Sequence, residues 1–361
     1  MGKEANMNLE QIPQENLNLV TQFGAELVSK LKEKPDFYTF KNNLIYSHRD
    51  FDRFFAALKK GEKCAIVSGF NASGTIHMGH KAVFDTNLFF QKKYGIPVFI
   101  PISDDESYVT KKVKDQKEAL DNSLKLAKEL IAYGFDPKKT YFIIDQTYTN
   151  IYNLAIKLSV KVTLSEIKST YGYKSEDNPG LFFYPAVQSA HILFPQEKFG
   201  IKNILVPIGP DEDSHIRISR DIASRAGYQK PAILHSVFLP GTDGEKMSKS
   251  RNNAIFFREN EKEIRKKISK AYSGGAKTIK EHRKYGGKPE EDVSIFYLSR
   301  FFLDKKEAEV LKTKYKQGKI LSSEVKKLLA DKVVKMIKDF QSRVNKVNKK
   351  DLDKTIMKNE F

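Results

Sequence analysis

The segment Ala65-Ile66-Val67-Ser68 has the pattern of a buried strand, and Thr75-Ile76-His77-Met78-Gly79-His80 opens a helix a few residues later. A loop joins the two, and the helix is predicted over residues 77–93. A strand whose apolar residues are continuous rather than alternating is typical of a sheet covered on both faces. This strand–loop–helix order therefore predicts the first unit of an α/β sheet.

Four further apolar runs continue the pattern and predict strands at residues 97–102, 141–144, 204–208 and 232–235. Between or after them, helices are predicted at residues 116–133, 150–164 and 213–226. Strands that alternate with helices favour an α/β fold with a Rossmann-like, doubly wound parallel sheet. In such a sheet, ligands bind at the carboxyl ends of the strands.

The pattern of apolar and charged residues divides the chain into three parts. We predict a helical extension at residues 1–62, the Rossmann-like sheet domain at 63–257 and an all-helical domain with a basic exterior at 258–361. The helical domain is indicated by apolar residues that recur at helical spacing with lysines between them. These residues are Val325, Leu328, Leu329, Val333, Met336, Ile337 and Phe340.

Composition narrows the class of protein. The chain has 361 residues and a formal net charge of +18, which favours a polyanionic partner such as nucleic acid, a membrane surface or an acidic metabolite. A solvated lysine surface is the alternative. The single cysteine, Cys64, excludes an internal disulfide. No apolar run is long enough to span a bilayer, and the first residues resemble no signal or transit peptide, so we expect a cytoplasmic protein.

The first motif with chemical meaning contains His77, Gly79 and His80. The two histidines lie three residues apart, on one face of a helix. Gly79 leaves the backbone bare for a flat base, and the free N–H groups of a helix start suit a phosphate. Alone, the motif is also compatible with a metal-binding pair or with two core histidines. It is neither the glycine-rich dinucleotide fingerprint nor a Walker P-loop.

The second motif, Lys246-Met247-Ser248-Lys249-Ser250, directly follows the last predicted strand, in a loop that also contains glycines. Two mobile ammonium groups suit a triphosphate whose negative charge grows on the leaving pyrophosphate. An ordinary basic surface loop is the alternative for this motif taken alone.

Together, the two motifs resemble the signatures of the class I aminoacyl-tRNA synthetases, His-Ile-Gly-His and Lys-Met-Ser-Lys-Ser. The second signature is complete, and the first has Met78 in place of isoleucine. Over about residues 19–347 the chain is similar to the short tryptophan and tyrosine subfamily, and specifically to its archaeal and eukaryotic tryptophanyl members. Local matches include Tyr184-Pro185-Ala186-Val187-Gln188 and Arg217-Ile218-Ser219-Arg220-Asp221.

The resemblance implies a role for each matching residue. Glu106 would hold the α-ammonium group of the amino acid, and Gln188 would assist it. Catalytic contacts to adenosine and phosphates would come from His77, His80, Lys246 and Lys249. Further ATP contacts would come from Gly79, Gly209, Asp211, Met247 and Ser248. Without the resemblance, the sequence favours surface charges for Glu106 and Asp211 and a helix cap for Gln188.

Three positions depart from the family pattern. The tyrosine that meets the indole N–H in eukaryotic members aligns with Ile66, the glutamine that helps it aligns with Pro101, and Glu212 replaces a glutamine. We hypothesise that His191 supplies the indole hydrogen bond instead; packing of the pocket wall is the alternative role. Tyrosine is the rival substrate, but the phenol partners of tyrosyl enzymes align with Val67 and His191, so tryptophan is preferred.

The resemblance further implies a reaction and its partners. Tryptophan would be activated with ATP to tryptophanyl-adenylate and then transferred to its tRNA, held by the helical domain. Mg²⁺ would be carried by the triphosphate, since no cluster of metal ligands is evident, and a homodimer is expected. Two other classes of function stay open: a small-molecule nucleotidyltransferase or ligase, and a non-catalytic RNA-binding protein.

Overall fold

The computed structural model describes residues 14–248 and 251–359 of the chain. Eight strands form one sheet. They are β1 (Glu26–Leu27), β2 (Ile45–Arg49), β3 (Cys64–Val67), β4 (Phe70–Asn71), β5 (Val98–Ser103), β6 (Thr140–Ile144), β7 (Asn203–Ile208) and β8 (Ala232–Ser236). The five strands predicted from apolar runs are therefore confirmed as β3, β5, β6, β7 and β8.

The strand order places a crevice in the middle of the sheet. The order is β1-β2-β8-β7-β3-β5, and both β4 and β6 pair with β5. All pairs from β8 to β6 are parallel, whereas β1 and β2 run antiparallel at one edge. The chain moves outward from β3 to β6 and then returns to the other side of β3 as β7. Because the strand order reverses between β3 and β7, a ligand crevice is expected at their carboxyl ends.

The N-terminal part of the chain differs from its prediction. Residues 14–62 contain three helices, α1 (Gln14–Thr21), α2 (Tyr38–Lys41) and α3 (Phe51–Lys59), but also the strands β1 and β2. A wholly helical extension is therefore wrong for these residues. Strand β2 was missed because its buried residues include polar ones, whose partners lie on distant elements: Ser47 bonds to His235, and Arg49 binds Asp213.

Seven helices accompany the parallel strands. They are α4 (Lys81–Tyr94), α5 (Asp104–Val109), α6 (Gln116–Tyr133), α7 (Ile151–Ser159), α8 (Leu164–Tyr171), α9 (Pro179–Phe199) and α10 (Asp213–Arg225). Two apolar clusters, one on each face of the sheet, hold them in place, which confirms the doubly wound fold. The predicted helix 150–164 instead ends at Ser159, and Leu164 begins α8.

The 21-residue helix α9 was not predicted. It contains Pro185 and Pro195, and proline normally ends or kinks a helix. The helix persists because tertiary burial outweighs this cost: most residues from Tyr184 to Gln196 are buried. Both Gln188 and His191 lie on α9, so this helix brings two of the predicted site residues to the sheet.

The described residues after Phe257 are helical, as predicted. The helices are α11 (Glu261–Ser269), α12 (Ile279–Tyr285), α13 (Val293–Tyr297), α14 (Lys305–Lys316), α15 (Ser322–Lys346) and α16 (Lys349–Thr355), and a π-helical turn, Leu298–Phe302, follows α13. The apolar face predicted on α15 packs against α6 and α11. Because one apolar cluster spans this contact, the boundary at residue 257 stays a prediction. None of the described helices is both long and apolar enough to cross a membrane.

Candidate active site

A cavity of about 490 Å³ opens at the carboxyl ends of β3, β5 and β7, and we call it the cleft. This size is typical of a small-molecule site. Ten of the twelve predicted site residues line it: His77, Gly79, His80, Glu106, Gln188, His191, Gly209, Asp211, Lys246 and Met247. Ser248 is not among its lining residues, and Lys249 lies outside the described residues. Residues that are up to 170 positions apart in the sequence, His77 and Met247, thus meet at the predicted edge of the sheet.

The two histidines of the first motif are locked in one tautomer. The Gly79 N–H donates to Nδ1 of His77, and the His77 N–H donates to Nδ1 of His80, each at 3.1 Å. Because both Nδ1 atoms accept, a neutral ring carries its proton on Nε2. Burial lowers the pKa of His77 to about 4 and the pKa of His80 well below its ordinary value. Both rings therefore offer the cleft a neutral N–H donor at pH 7.

A glycine is required at position 79 for a steric reason that the sequence did not reveal. A Cβ at this position would lie 2.7 Å from Cε1 of His77 and 3.4 Å from Sδ of Met247. The space is therefore filled by the side chains of both motifs. The bare backbone at Gly79 lets the His77 ring fold back on its own turn, and the approach of a base to Gly79 stays a prediction.

Backbone pairing joins the two motifs. The Met78 N–H donates to the carbonyl of Ile255 at 3.0 Å, and the Phe257 N–H donates to the carbonyl of Ile76 at 2.9 Å. The Phe256 ring packs edge-on against His77, with ring centroids 5.7 Å apart. The segment that follows the second motif is thereby fixed against the first.

The described part of the second motif combines an anchored backbone with an exposed ammonium group. Met247 is buried in the core, and Asn253 Oδ1 accepts the Ser248 N–H at 2.7 Å. Nζ of Lys246 lies 2.9 Å from Oδ2 of Asp211 and 4.0 Å from the centroid of the Phe238 ring. The structure thus brings Asp211 and Lys246 together. Asn253 was missed because nothing in its local sequence marks it.

Glu106 lies on α5, directly after strand β5. Its carboxylate accepts a hydrogen bond from the Asn71 amide, and Nζ of Lys112 lies 3.5 Å from Oε1. The Glu106 side chain is 21% exposed, so it remains open to the cleft. Asn71 and Lys112 also line the cleft and were missed by the sequence analysis. A carboxylate in this position can bind a ligand's ammonium group.

Gln188 belongs to an aromatic wall. Its Oε1 accepts the Tyr171 hydroxyl at 2.7 Å, which leaves a second lone pair of this oxygen for a ligand. The Tyr171 ring stacks on His215 with ring centroids 4.2 Å apart, and on Tyr173 with centroids 5.3 Å apart. All these residues line the cleft. The three rings come from α8, the following loop and α10, so no single stretch of sequence indicated this wall.

His191 lies on the next turn of α9, and its environment was not foreseen. Its Nε2 lies 2.6 Å from Oδ1 of Asp145, and burial lowers the pKa of His191 to about 4. Asp104 and Asp105 lie close by, with carboxylate oxygens of the three acids within 4.8 Å of one another. The ring lines the cleft, as expected for a residue that contacts a ligand.

The first strand contributes no polar group at the aligned position. The Ile66 side chain is fully buried in the apolar cluster that contains α4 and α6, and Ile66 does not line the cleft. Its neighbour Val67 lines the cleft together with Pro101. Val67 and Pro101 therefore border the space in which a ligand would lie, and the alignment of the indole-binding tyrosine with Ile66 stays a prediction.

A doubly wound sheet whose two signature motifs meet over one cleft defines a class I aminoacyl-tRNA synthetase. A family model for tRNA synthetases class I (W and Y) matches residues 59–338. The chain therefore belongs to the class I synthetase family for tryptophan and tyrosine.

Relatives within this family are similar over almost their whole length. The tryptophan–tRNA ligase of Methanocaldococcus jannaschii is 39% identical over 337 residues, which are 89% of this chain and 90% of that protein. The crystal structure of tryptophanyl-tRNA synthetase from Aeropyrum pernix has a TM-score of 0.87 and 31% identity, covering 96% of this chain and 98% of that one. The enzyme of Encephalitozoon cuniculi, solved bound to tryptophan, has a TM-score of 0.83 and 28% identity, covering 94% and 97%.

Proposed function

We propose that the chain is a tryptophan–tRNA ligase, which activates tryptophan with ATP and transfers the tryptophanyl group to tRNA. The observation that carries this proposal is the single cleft that joins the two motifs to Glu106 and His191. Its relatives named above are tryptophan enzymes, and they lend the tyrosine alternative no support.

ATP would lie across the two motifs. His77 and His80 would donate their Nε2–H groups to the nucleotide without adding charge, because burial keeps both rings neutral. Lys246 would leave Asp211 and follow the negative charge onto the departing pyrophosphate. Gly209 and Met247 would border the nucleotide, and Lys249 is assigned to the phosphates by resemblance alone.

Mg²⁺ is proposed as a companion of the triphosphate rather than as a resident ion. The three clustered carboxyls do not suit it: both Asp104 oxygens accept N–H groups of residues 145 and 146, and Asp145 Oδ1 is bound to His191. Mg²⁺ keeps several waters and favours open oxygen ligands. The ion would screen the phosphates and so help the tryptophan carboxylate to approach.

The amino acid would be oriented by its ammonium group. Glu106 supplies the negative charge, and Gln188 supplies an amide oxygen on the facing helix. The substrate carboxylate then attacks the α-phosphorus, the bond to the pyrophosphate oxygen breaks, and an adenylate forms. The protein's contribution is orientation and charge stabilisation, and no covalent nucleophile is required.

The indole would lie between Val67, Pro101 and His191. Neither Val67 nor Pro101 can accept a hydrogen bond through its side chain, so His191 is the side chain among these three that can meet the indole N–H. A phenol placed here would find neither of the polar partners that tyrosyl enzymes use.

The helical domain would hold the anticodon arm of the tRNA. Its helices carry many exposed lysines, and phosphate contacts of this kind give affinity that falls with salt. A terminal ribose hydroxyl would then take the acyl group from the adenylate and release AMP. A cytoplasmic location stays a prediction.

A homodimer is also part of the proposal. Ile156 on α7, Val160 directly after the end of α7 and Leu164 at the start of α8 are each more than half exposed. Three exposed apolar side chains around one helix end suit contact with a second copy of the chain. Replacing Val160 with lysine is expected to shift the mass in solution from dimer to monomer.

The transfer step tests the proposed function. Purified protein, ATP, labelled tryptophan and tRNA should yield tryptophanyl-tRNA. Periodate-oxidised tRNA, which lacks the terminal ribose hydroxyls, is the control and should accept nothing. Formation of an adenylate without any charging of tRNA would favour a small-molecule nucleotidyltransferase, and RNA binding without adenylate would favour a non-catalytic protein.

A further inference from the structure

His191 can read an indole N–H only in one of its two neutral tautomers. A neutral imidazole has one N–H donor and one bare nitrogen, which accepts. Nε2 of His191 is engaged by Oδ1 of Asp145 at 2.6 Å, whereas no hydrogen bond from a described residue reaches Nδ1. Because the ring lines the cleft, Nδ1 is the nitrogen left for a ligand.

The proton on Nε2 depends on the state of Asp145. An ionised Asp145 accepts from Nε2–H and leaves Nδ1 bare. A protonated Asp145 would donate to Nε2, and the ring proton would then sit on Nδ1, where it would oppose the indole N–H. The residue that reads the substrate is thus controlled by a carboxyl that does not line the cleft.

The protonation of Asp105 determines whether Asp145 is ionised or protonated. Burial, followed by the nearby Asp145 carboxylate, raises the pKa of Asp105 to about 9, so this carboxyl is neutral at pH 7. Oδ2 of Asp145 is fully buried and has no hydrogen-bond acceptor or donor assigned among the described residues, which leaves it free to accept the Asp105 proton. Burial raises the pKa of Asp145 as well, but a hydrogen bond from the Asp105 carboxyl lowers it. Two carboxyls in contact share one proton, and that proton belongs on Asp105, because Asp145 is the carboxylate whose other oxygen faces Nε2 of His191 at 2.6 Å.

We propose that Asp145 is a positioning residue that sets the tautomer of His191 and thereby makes Nδ1 the acceptor for the indole N–H of tryptophan. This inference rests on the proposed function and deepens it, since it assigns the basis of side-chain recognition. The geometry replaces the hydrogen bond that Val67 and Pro101 cannot make. Asp145, directly after β6, acts on the substrate only through His191.

The direct test compares tryptophan with 3-benzothienylalanine, in which sulfur replaces the indole N–H. Asp145→Asn lets an amide N–H donate to Nε2, which moves the ring proton to Nδ1. In ATP–pyrophosphate exchange we expect KM for tryptophan to rise about tenfold with little change in kcat, while KM for the analogue stays as in the wild type. Thr147→Val is the control: it removes a hydroxyl two residues after Asp145 that bonds to the carbonyls of Ile144 and Met357 and not to His191, and it should preserve the ratio of the two KM values.

The other outcomes contradict the inference. Equal losses for both substrates mean that Asp145 only supports packing, and unchanged KM values mean that it does not position His191. Absence of exchange with tryptophan in the wild type would instead overturn the proposed function. A second measurement needs neither catalysis nor the variant: ¹⁵N NMR of histidine-labelled wild-type protein should show the His191 proton on Nε2. A proton on Nδ1 would overturn the inference even if Asp145→Asn failed to fold.

Discussion

Lys246 and Asp211 form an ion pair at the mouth of the cleft, with Nζ 2.9 Å from Oδ2 and both side chains about half exposed. A pair so open to water is weak, so the phosphates of ATP can replace Asp211 as the partner of Lys246.

The first prediction follows from this exchange of partners. Lys246→Met keeps an apolar stem against the Phe238 ring but removes the ammonium group. We expect kcat of ATP–pyrophosphate exchange to fall by about 10²-fold or more, since the charge is needed most in the transition state. Lys262→Met, on the exposed face of α11, is the matched control and should leave the rate unchanged. An equal rise in KM for ATP with kcat intact would show that Lys246 only binds the ground state.

Glu106→Gln tests the ammonium site. The amide keeps the shape and can still accept from Asn71, but it no longer carries the charge that balances an ammonium group. Charge-assisted hydrogen bonds are worth more than neutral ones, so KM for tryptophan should rise about ten- to a hundredfold. KM for ATP should stay near its wild-type value. Glu176→Gln, an exposed residue in the loop before α9, serves as control. A rise in KM for ATP alone would move Glu106 out of the amino-acid site.

Gly79→Ala tests the fit between the two motifs. The added Cβ would lie 2.7 Å from the His77 ring, which must then swing out of its hydrogen bond with the Gly79 N–H. We expect exchange activity to be lost while the helical signal in circular dichroism and the thermal midpoint change little, because the clash is confined to the turn. Full activity in this variant would show that the observed position of His77 is not required.

The pH dependence of stability tests the neutral state of His191. The pKa of His191 is about 4 in the folded chain, against an ordinary value near 6.5. A depressed folded pKa means that the unfolded chain binds the proton first, so the stabilisation is present above about pH 6.5 and is lost as the pH falls towards 4. Asp105, with its raised pKa, has the opposite slope, so the wild type alone is not diagnostic.

A variant isolates the His191 contribution. The free energy of unfolding should be measured at pH 7.5 and pH 5 for the wild type and for His191→Gln, which cannot titrate. We expect the advantage of the wild type over the variant to shrink at pH 5. A larger advantage at pH 5 would mean that His191 is protonated in the folded protein and paired with ionised Asp145, and this would also contradict the tautomer assigned above.

The parallel core of the fold could be predicted from the sequence because its strands are short, continuous apolar runs. Runs such as Ala65 to Val67 are apolar without a break, which is typical of strands in a sheet buried on both faces. Strand β2 and helix α9 could not be predicted, since each violates a local rule that tertiary contacts override. In β2, buried polar side chains find partners on β8 and α10, and in α9, two prolines are tolerated within an apolar environment.

The parts of the site that could be predicted are those whose functional residues lie next to one another in the sequence. The turn around His77 and the loop around Lys246 each have a recognisable spacing of functional residues. Both line the cleft, as expected. Partners that act from a distance gave no such signal. Asp145 contacts His191 although the two residues are 46 positions apart in the sequence. Asn253 fixes the Lys246 loop by accepting a backbone N–H. Because almost every residue has a backbone N–H, this bond leaves no mark in the sequence.

Whether this cleft activates tryptophan is decided by ATP–pyrophosphate exchange, driven separately by tryptophan and by tyrosine. We expect exchange with tryptophan and none above background with tyrosine, because Val67 and His191 stand where tyrosyl enzymes place the two partners of the phenol. Exchange with tyrosine alone would contradict the assigned pocket while keeping the adenylate chemistry. Exchange with neither amino acid would contradict the account as a whole.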